Sequence, residues 1–101
     1  NKRLYQIPYR DIVYMESRRR VIHLFGKNGE EYRFYKKMKD LLEEISHTGN
    51  MFIRVHCSYV VNYYYIKSLS STEAELLTGE KLPVSGEYKN EALKKFMGMM
   101  E

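Results

Sequence analysis

Phe52-Ile-Arg-Val-His-Cys-Ser-Tyr-Val-Val-Asn62 sets Arg54, His56, Ser58 and Asn62 into an otherwise apolar and aromatic frame. Such alternation reads as a β-strand with one face in the core and polar side chains facing out. On periodicity alone His56 is a structural histidine, and its neighbour Cys57 points to the opposite face of the strand. The apolar density continues through Tyr63-Tyr-Tyr-Ile66, so Met51 to Leu69 has to supply part of the core. Asn62, in the middle of this run, is expected to be buried, with its amide bonded to backbone and fixing the preceding turn. Of the three tyrosines, two alternate to one face, so packing accounts for the run better than stacking on bases does.

Working outward, Leu4 to Tyr35 carries strand signals. Asp11-Ile-Val-Tyr-Met-Glu16 is β-branched and aromatic and ends in the charged turn Ser17-Arg18-Arg19-Arg20; Val21-Ile-His-Leu-Phe25 resumes the pattern. Asn28-Gly29 then predicts a two-residue hairpin, because both central residues of a type I′ turn need positive φ. Centred there, the register sets Lys27 opposite Glu30, Phe25 opposite Tyr32 and His23 opposite Phe34. Met38, Leu41, Leu42 and Ile45 follow helical spacing, and Ser46-His-Thr-Gly-Asn50 stops the helix. Glu73 to Val84, with Thr78-Gly79 at its centre, reads as another hairpin. A closing helix follows, with Ser85 as N-cap and Tyr88, Ala92, Phe96 and Met99 or Met100 on one stripe. The expected fold is mostly β (α+β), antiparallel, with hairpins and two short helices.

A chain of 101 residues, 44% hydrophobic and 30% charged, has the size and balance of one globular domain. No apolar run is long enough for a membrane helix. The first residue, Asn1, is read as the start of a piece of a longer protein. A single cysteine excludes an internal disulfide and fits a reducing cytoplasm. Net charge is +4, which permits a polyanionic partner. No Gly-rich phosphate loop is present, and His23, His47, His56 and Cys57 lack zinc-ligand spacing. Neither a cofactor nor an enzymatic reaction is expected. Arg18-Arg19-Arg20 suits phosphate or guanine contacts, since a guanidinium binds both bidentately; three adjacent arginines in a turn are equally a solvated surface.

The Phe-x-Arg-x-His-x-Ser-aromatic-aliphatic-aliphatic-Asn string resembles the signature of LytTR domains, the DNA-binding ends of certain bacterial response regulators. Ile12-Val-Tyr-Met-Glu16, the helix ending at Ile45, and Leu82-Pro-Val-Ser85 agree with that family in order and spacing. The likeness runs from about Ile7 to Phe96. It implies an elongated antiparallel fold that reads duplex DNA through loops in successive major grooves. By that resemblance the contacts are Arg18, Arg19 and Arg20; then His56, Cys57 and Ser58; then the start of the last helix, with Ser85, Glu87 and Lys89. It further implies a cytoplasmic transcription regulator, the C-terminal output half of a two-component response regulator. Phosphorylation of a receiver domain would promote its dimerisation on paired DNA repeats. Cys57 stands where the family commonly has a polar or basic residue, and Gly86 and Glu87 where it commonly has basic ones. That leaves the DNA sequence preference open and weakens the third contact most. Two other readings are a protein-interaction module using the tyrosine-rich face and a binder of single-stranded RNA.

Overall fold

The computed structural model describes residues 3–101. The β-branched and aromatic stretches form β1 (Ile12–Arg18), β2 (Val21–Gly26), β3 (Glu31–Tyr35), β4 (Phe52–His56) and β5 (Tyr59–Asn62), and shorter segments of alternating polar and apolar residues form β6 (Ile66–Leu69), β7 (Glu73–Leu76) and β8 (Lys81–Pro83). Helix α1 (Met38–Glu44) lies between β3 and β4, and α2 (Lys89–Met100) closes the chain. The strands pair antiparallel in two sheets, β3-β2-β1-β5-β4 and β6-β7-β8. The molecule measures 42 × 25 × 25 Å, the elongated, mostly-β shape the sequence implied. No helix among the described residues is long and apolar enough to cross a membrane.

The middle of the five-stranded sheet is covered on both faces, while β3 keeps Glu31, Arg33 and Tyr35 exposed on one. Val60, Met15, Ile22 and Leu24 pack under Met38, Leu41 and Ile45 of α1. Val61, Ile53, Val55 and Val13 point the other way, toward Ala74, Leu76 and Leu82 of the second sheet and Ala92 of α2. This two-sided burial explains why Tyr59-Val-Val reads as a continuous apolar run, since neither face of β5 meets water.

Several expectations change in detail. Strand pairing begins only at β1; Tyr9–Asp11 ahead of it is a 3-10 turn. The β2–β3 register is His23 opposite Arg33, Leu24 opposite Tyr32 and Phe25 opposite Glu31, one residue away from the expected pairs. The loop has three residues, closed by Gly26 N–H to the Glu30 carbonyl (2.9 Å) and Gly29 N–H to the Gly26 carbonyl (3.2 Å). Only Gly29 takes positive φ there (86°), the left-handed position of a three-residue hairpin loop. A one-residue slip exchanges faces, so Tyr32 and Phe34 join the α1 side of the core with Leu24 and Ile22. The Gly79 loop repeats the same geometry, with Leu76 N–H to the Glu80 carbonyl and Gly79 at φ 103°.

Tyr63–Tyr65 is a 3-10 turn, in which Tyr63 and Tyr65 pack against the core and only Tyr64 is largely exposed. Asn62 is fully buried, as expected, but it organises the turn that follows it. Its Oδ1 accepts from Tyr64 N–H (3.0 Å), and its Nδ2 donates to the carbonyls of Ile12 (2.8 Å) and Tyr9 (3.4 Å). Ser85 does not cap α2 with its side chain. The Ser85 carbonyl instead accepts from Tyr88 and Lys89 N–H, a turn that delays the helix to Lys89.

Candidate nucleic-acid interface

The strand pairing brings the three predicted loops to one end of the five-stranded sheet. β1 ends as β5 begins, with Glu16 opposite Tyr59, so the β1–β2 turn and the β4–β5 turn lie side by side. Ser17 N–H donates to the Ser58 carbonyl (2.9 Å) across them. Two strand spacings separate their centres, roughly 10 Å. The glycine loops at Gly29 and Gly79 lie at the other end, about the concavity lined by Gly26, Glu30 and Thr78.

The β1–β2 turn is tighter than the sequence suggested. Ser17 and Arg18 belong to β1, and Arg18 pairs with Val21, leaving Arg19 and Arg20 alone to make the turn. Both take left-handed backbone, φ 48° and 67°, the two positive-φ positions of a primed hairpin turn. Among the described residues these are the only non-glycine positions with positive φ. Arginine gains nothing locally from that conformation, which costs an L-residue about 1–2 kcal/mol; strain of this kind gathers at functional sites. Arg18 turns back to Glu16, Nη2 to Oε1 at 2.7 Å, and Tyr59 Oη donates to the other carboxylate oxygen at 3.2 Å. The Arg18 hydrogen bond holds the Glu16 carboxyl below its usual range, although burial pushes the other way. Arg19 and Arg20 are exposed and form no ion pair among the described residues.

In the β4–β5 turn, His56 and Cys57 do not point apart. A register shift between Arg54 and His56 ends the regular ladder, and the chain turns through Cys57 and Ser58. His56 Nδ1 accepts from Ser58 N–H (3.0 Å), which assigns the ring proton to Nε2 as an unspent donor. Cys57 is exposed, with Sγ 3.5 Å from His56 Nδ1 and 3.7 Å from Ser58 Oγ.

Arg54, which periodicity treats as a solvent-facing strand residue, braces this turn. Its Nη2 donates to the Cys57 carbonyl (2.8 Å) and Nε to that of His56 (3.3 Å). Its guanidinium lies 4.7 Å over the Tyr88 ring, where the chain enters α2. Ser85 N–H donates to the Val55 carbonyl (2.9 Å), so the approach to α2 is bonded to the end of β4. Gly86 and Glu87 are exposed, while Ser85 and Lys89 are half-buried. The third loop is thus beside the second, with an acidic Glu87 at its tip.

The family described as LytTr DNA-binding domain matches residues 2–97. Among solved structures, the chain matches a LytTr DNA-binding domain from Bacillus cereus, part of a protein described as a methyl-accepting/DNA response regulator. The TM-score is 0.73 at 23% identity, over 91% of this chain and 85% of that one. No curated protein matches. The structural likeness carries the fold, and the family match spans nearly the whole length: this chain belongs to the LytTr DNA-binding domain family.

Proposed function

We propose that the chain binds duplex DNA with the loop-bearing end of its five-stranded sheet, as the output domain of a bacterial response regulator. The observation that carries this reading is the joining of three separate loops by direct bonds: Ser17 to Ser58, Val55 to Ser85, and Arg54 to both Cys57 and Tyr88. Arg19 and Arg20 supply phosphate contacts or guanine recognition in a major groove. His56 donates through Nε2 to a phosphate, with Cys57 and Ser58 beside it. Ser85, Glu87 and Lys89 flank the third loop; Lys89 approaches phosphate, and Glu87 accepts from a cytosine amino group if it meets a base. In the full-length protein the domain works at paired repeats as a dimer, controlled by a preceding receiver.

The test is duplex binding followed against salt, for the wild type and for Arg19→Ala/Arg20→Ala. Each lost phosphate contact lowers the log-affinity against log-salt slope by about 0.9. A folded double variant with weaker binding and a shallower slope supports the reading, and unchanged values remove this end of the sheet from the interface. The tyrosine-rich alternative has less to stand on, because Tyr63 and Tyr65 are largely spent on packing.

A further inference from the structure

β3 is an edge strand, and its Arg33 and Tyr35 lie on the face that carries His23 and Val21. Lys36 N–H donates to the Arg20 carbonyl (3.1 Å), tying the end of β3 to the arginine turn. Between them opens a concavity of about 390 Å³ lined by Arg18, Arg19, Arg33, His23 and Tyr35 over a floor that includes the apolar Val21 and Phe34. No carboxylate lines it, although two pair with residues that do. Glu16 holds Arg18 (2.7 Å), and Glu31 holds both Arg33 Nε (2.8 Å) and His23 Nδ1 (2.8 Å). The Glu16–Arg18 and Glu31–Arg33 pairs each occupy one of the five donors of a guanidinium, so Arg18 and Arg33 are held with most donors unspent. Tyr35, 84% exposed, adds a phenolic donor at the rim.

We infer that this concavity is a further phosphate seat, taking a backbone phosphodiester of the same duplex beside the arginine turn, which contributes Arg19 to it. Three arginines lining one hollow, two of them held by the carboxylates of Glu16 and Glu31, match the demand of a phosphate for several donors. Charge on an edge strand also blocks sheet-to-sheet pairing between molecules, a role that asks only for exposure. It does not account for Arg33 lining one hollow with Arg18 and Arg19.

The inference rests on the DNA-binding reading, and the experiment separates the two. Fluorescence anisotropy with a labelled mixed-sequence duplex is run across a salt series on the wild type, Arg33→Gln and Arg19→Ala/Arg20→Ala. Arg33→Gln is expected to bind on the order of tenfold more weakly, the scale of one charged hydrogen bond, with a slope shallower by about 0.9. If the turn variant loses binding while a monomeric, folded Arg33→Gln does not, the phosphate seat is overturned and the DNA reading stands. If neither loses binding, both fall. Should Arg33→Gln self-associate, the wild-type arginine Nε–H resonances decide the matter. Arg33 has to shift on adding the duplex, and an unmoved Arg33 beside a shifted Arg19 overturns the seat.

Discussion

Replacing Arg19-Arg20 by Asn-Gly tests strain and function at once. Both arginines hold positive φ, 48° and 67°, at about 1–2 kcal/mol each for an L-residue. Asn and Gly are the residues a type I′ turn favours. Against the relief stands the extra unfolded-state freedom of glycine, about 0.5–1 kcal/mol. Glycine relieves its position fully and Asn, still an L-residue, only in part, so the net expectation is a stabilisation of roughly 1–2 kcal/mol, and each kcal/mol raises Tm by about 4–8 °C for a domain of this size. The same change removes two charges, so the salt slope of DNA binding falls by up to about 1.8. Arg19→Ala/Arg20→Ala is the control: it loses the same charges and keeps left-handed backbone, so it should match the binding loss without the thermal gain. The assay pairs thermal melts with duplex titrations over a salt series. An Asn-Gly protein that melts no higher than wild type refutes the strain argument. One that binds DNA with unchanged affinity and slope refutes the placement of the turn at the interface.

Asn62→Ala strands the Tyr64 amide and the Ile12 carbonyl in the core; a loss of about 1–3 kcal/mol in denaturant unfolding is expected, and full stability would show these bonds to be expendable. Cys57 is exposed, so Cys57→Asp should melt like wild type yet bind DNA poorly, while Cys57→Ser binds nearly normally; a folded Cys57→Asp with undiminished affinity removes this turn from the interface. His56→Ala loses the Nε2 donor and the acceptor for Ser58 N–H, and a drop of roughly 1–2 kcal/mol in binding is expected from titration. The Tyr14 hydroxyl is pushed up to about 12, first by burial and then by Glu80 and Glu16. A pKa raised on folding gives stability that is complete below the unfolded value near 10 and is lost as pH rises toward 12. Chemical unfolding across that window should therefore show declining stability, with the Tyr14-dependent part absent in Tyr14→Phe.

The strand pattern, both helices and all three turn positions about Arg19, Gly29 and Gly79 were legible because they rest on local chemistry. Loop length was not. Asn28-Gly29 satisfies a two-residue or a three-residue loop, since either needs glycine at positive φ, and the choice shifts every pair on β3. Ser85 has the side chain of an N-cap, but its amide is spent on Val55 and its carbonyl on the turn before α2, contacts that depend on distant β4. Likewise the meeting of the arginine turn with His56–Ser58 depends on β1 pairing β5 across some forty residues, and only the family resemblance hinted at it. Arg54 was missed because period-2 reasoning gives a direction and not the reach of a long side chain. Glu16 had a usable signal: it lies two residues before Arg18, on the same face of the strand.

The central claim is that the three bonded loops at one end of the five-stranded sheet meet the duplex together. Amide chemical shifts of the ¹⁵N-labelled chain, titrated with duplex DNA, test it most directly. The predicted result is shifts concentrated at Arg18–Arg20, His56–Ser58 and residues 85–89, with the Gly29 and Gly79 loops at the opposite end unmoved. Shifts gathered at the glycine loops or about Tyr64, with the arginine turn unmoved, would contradict it.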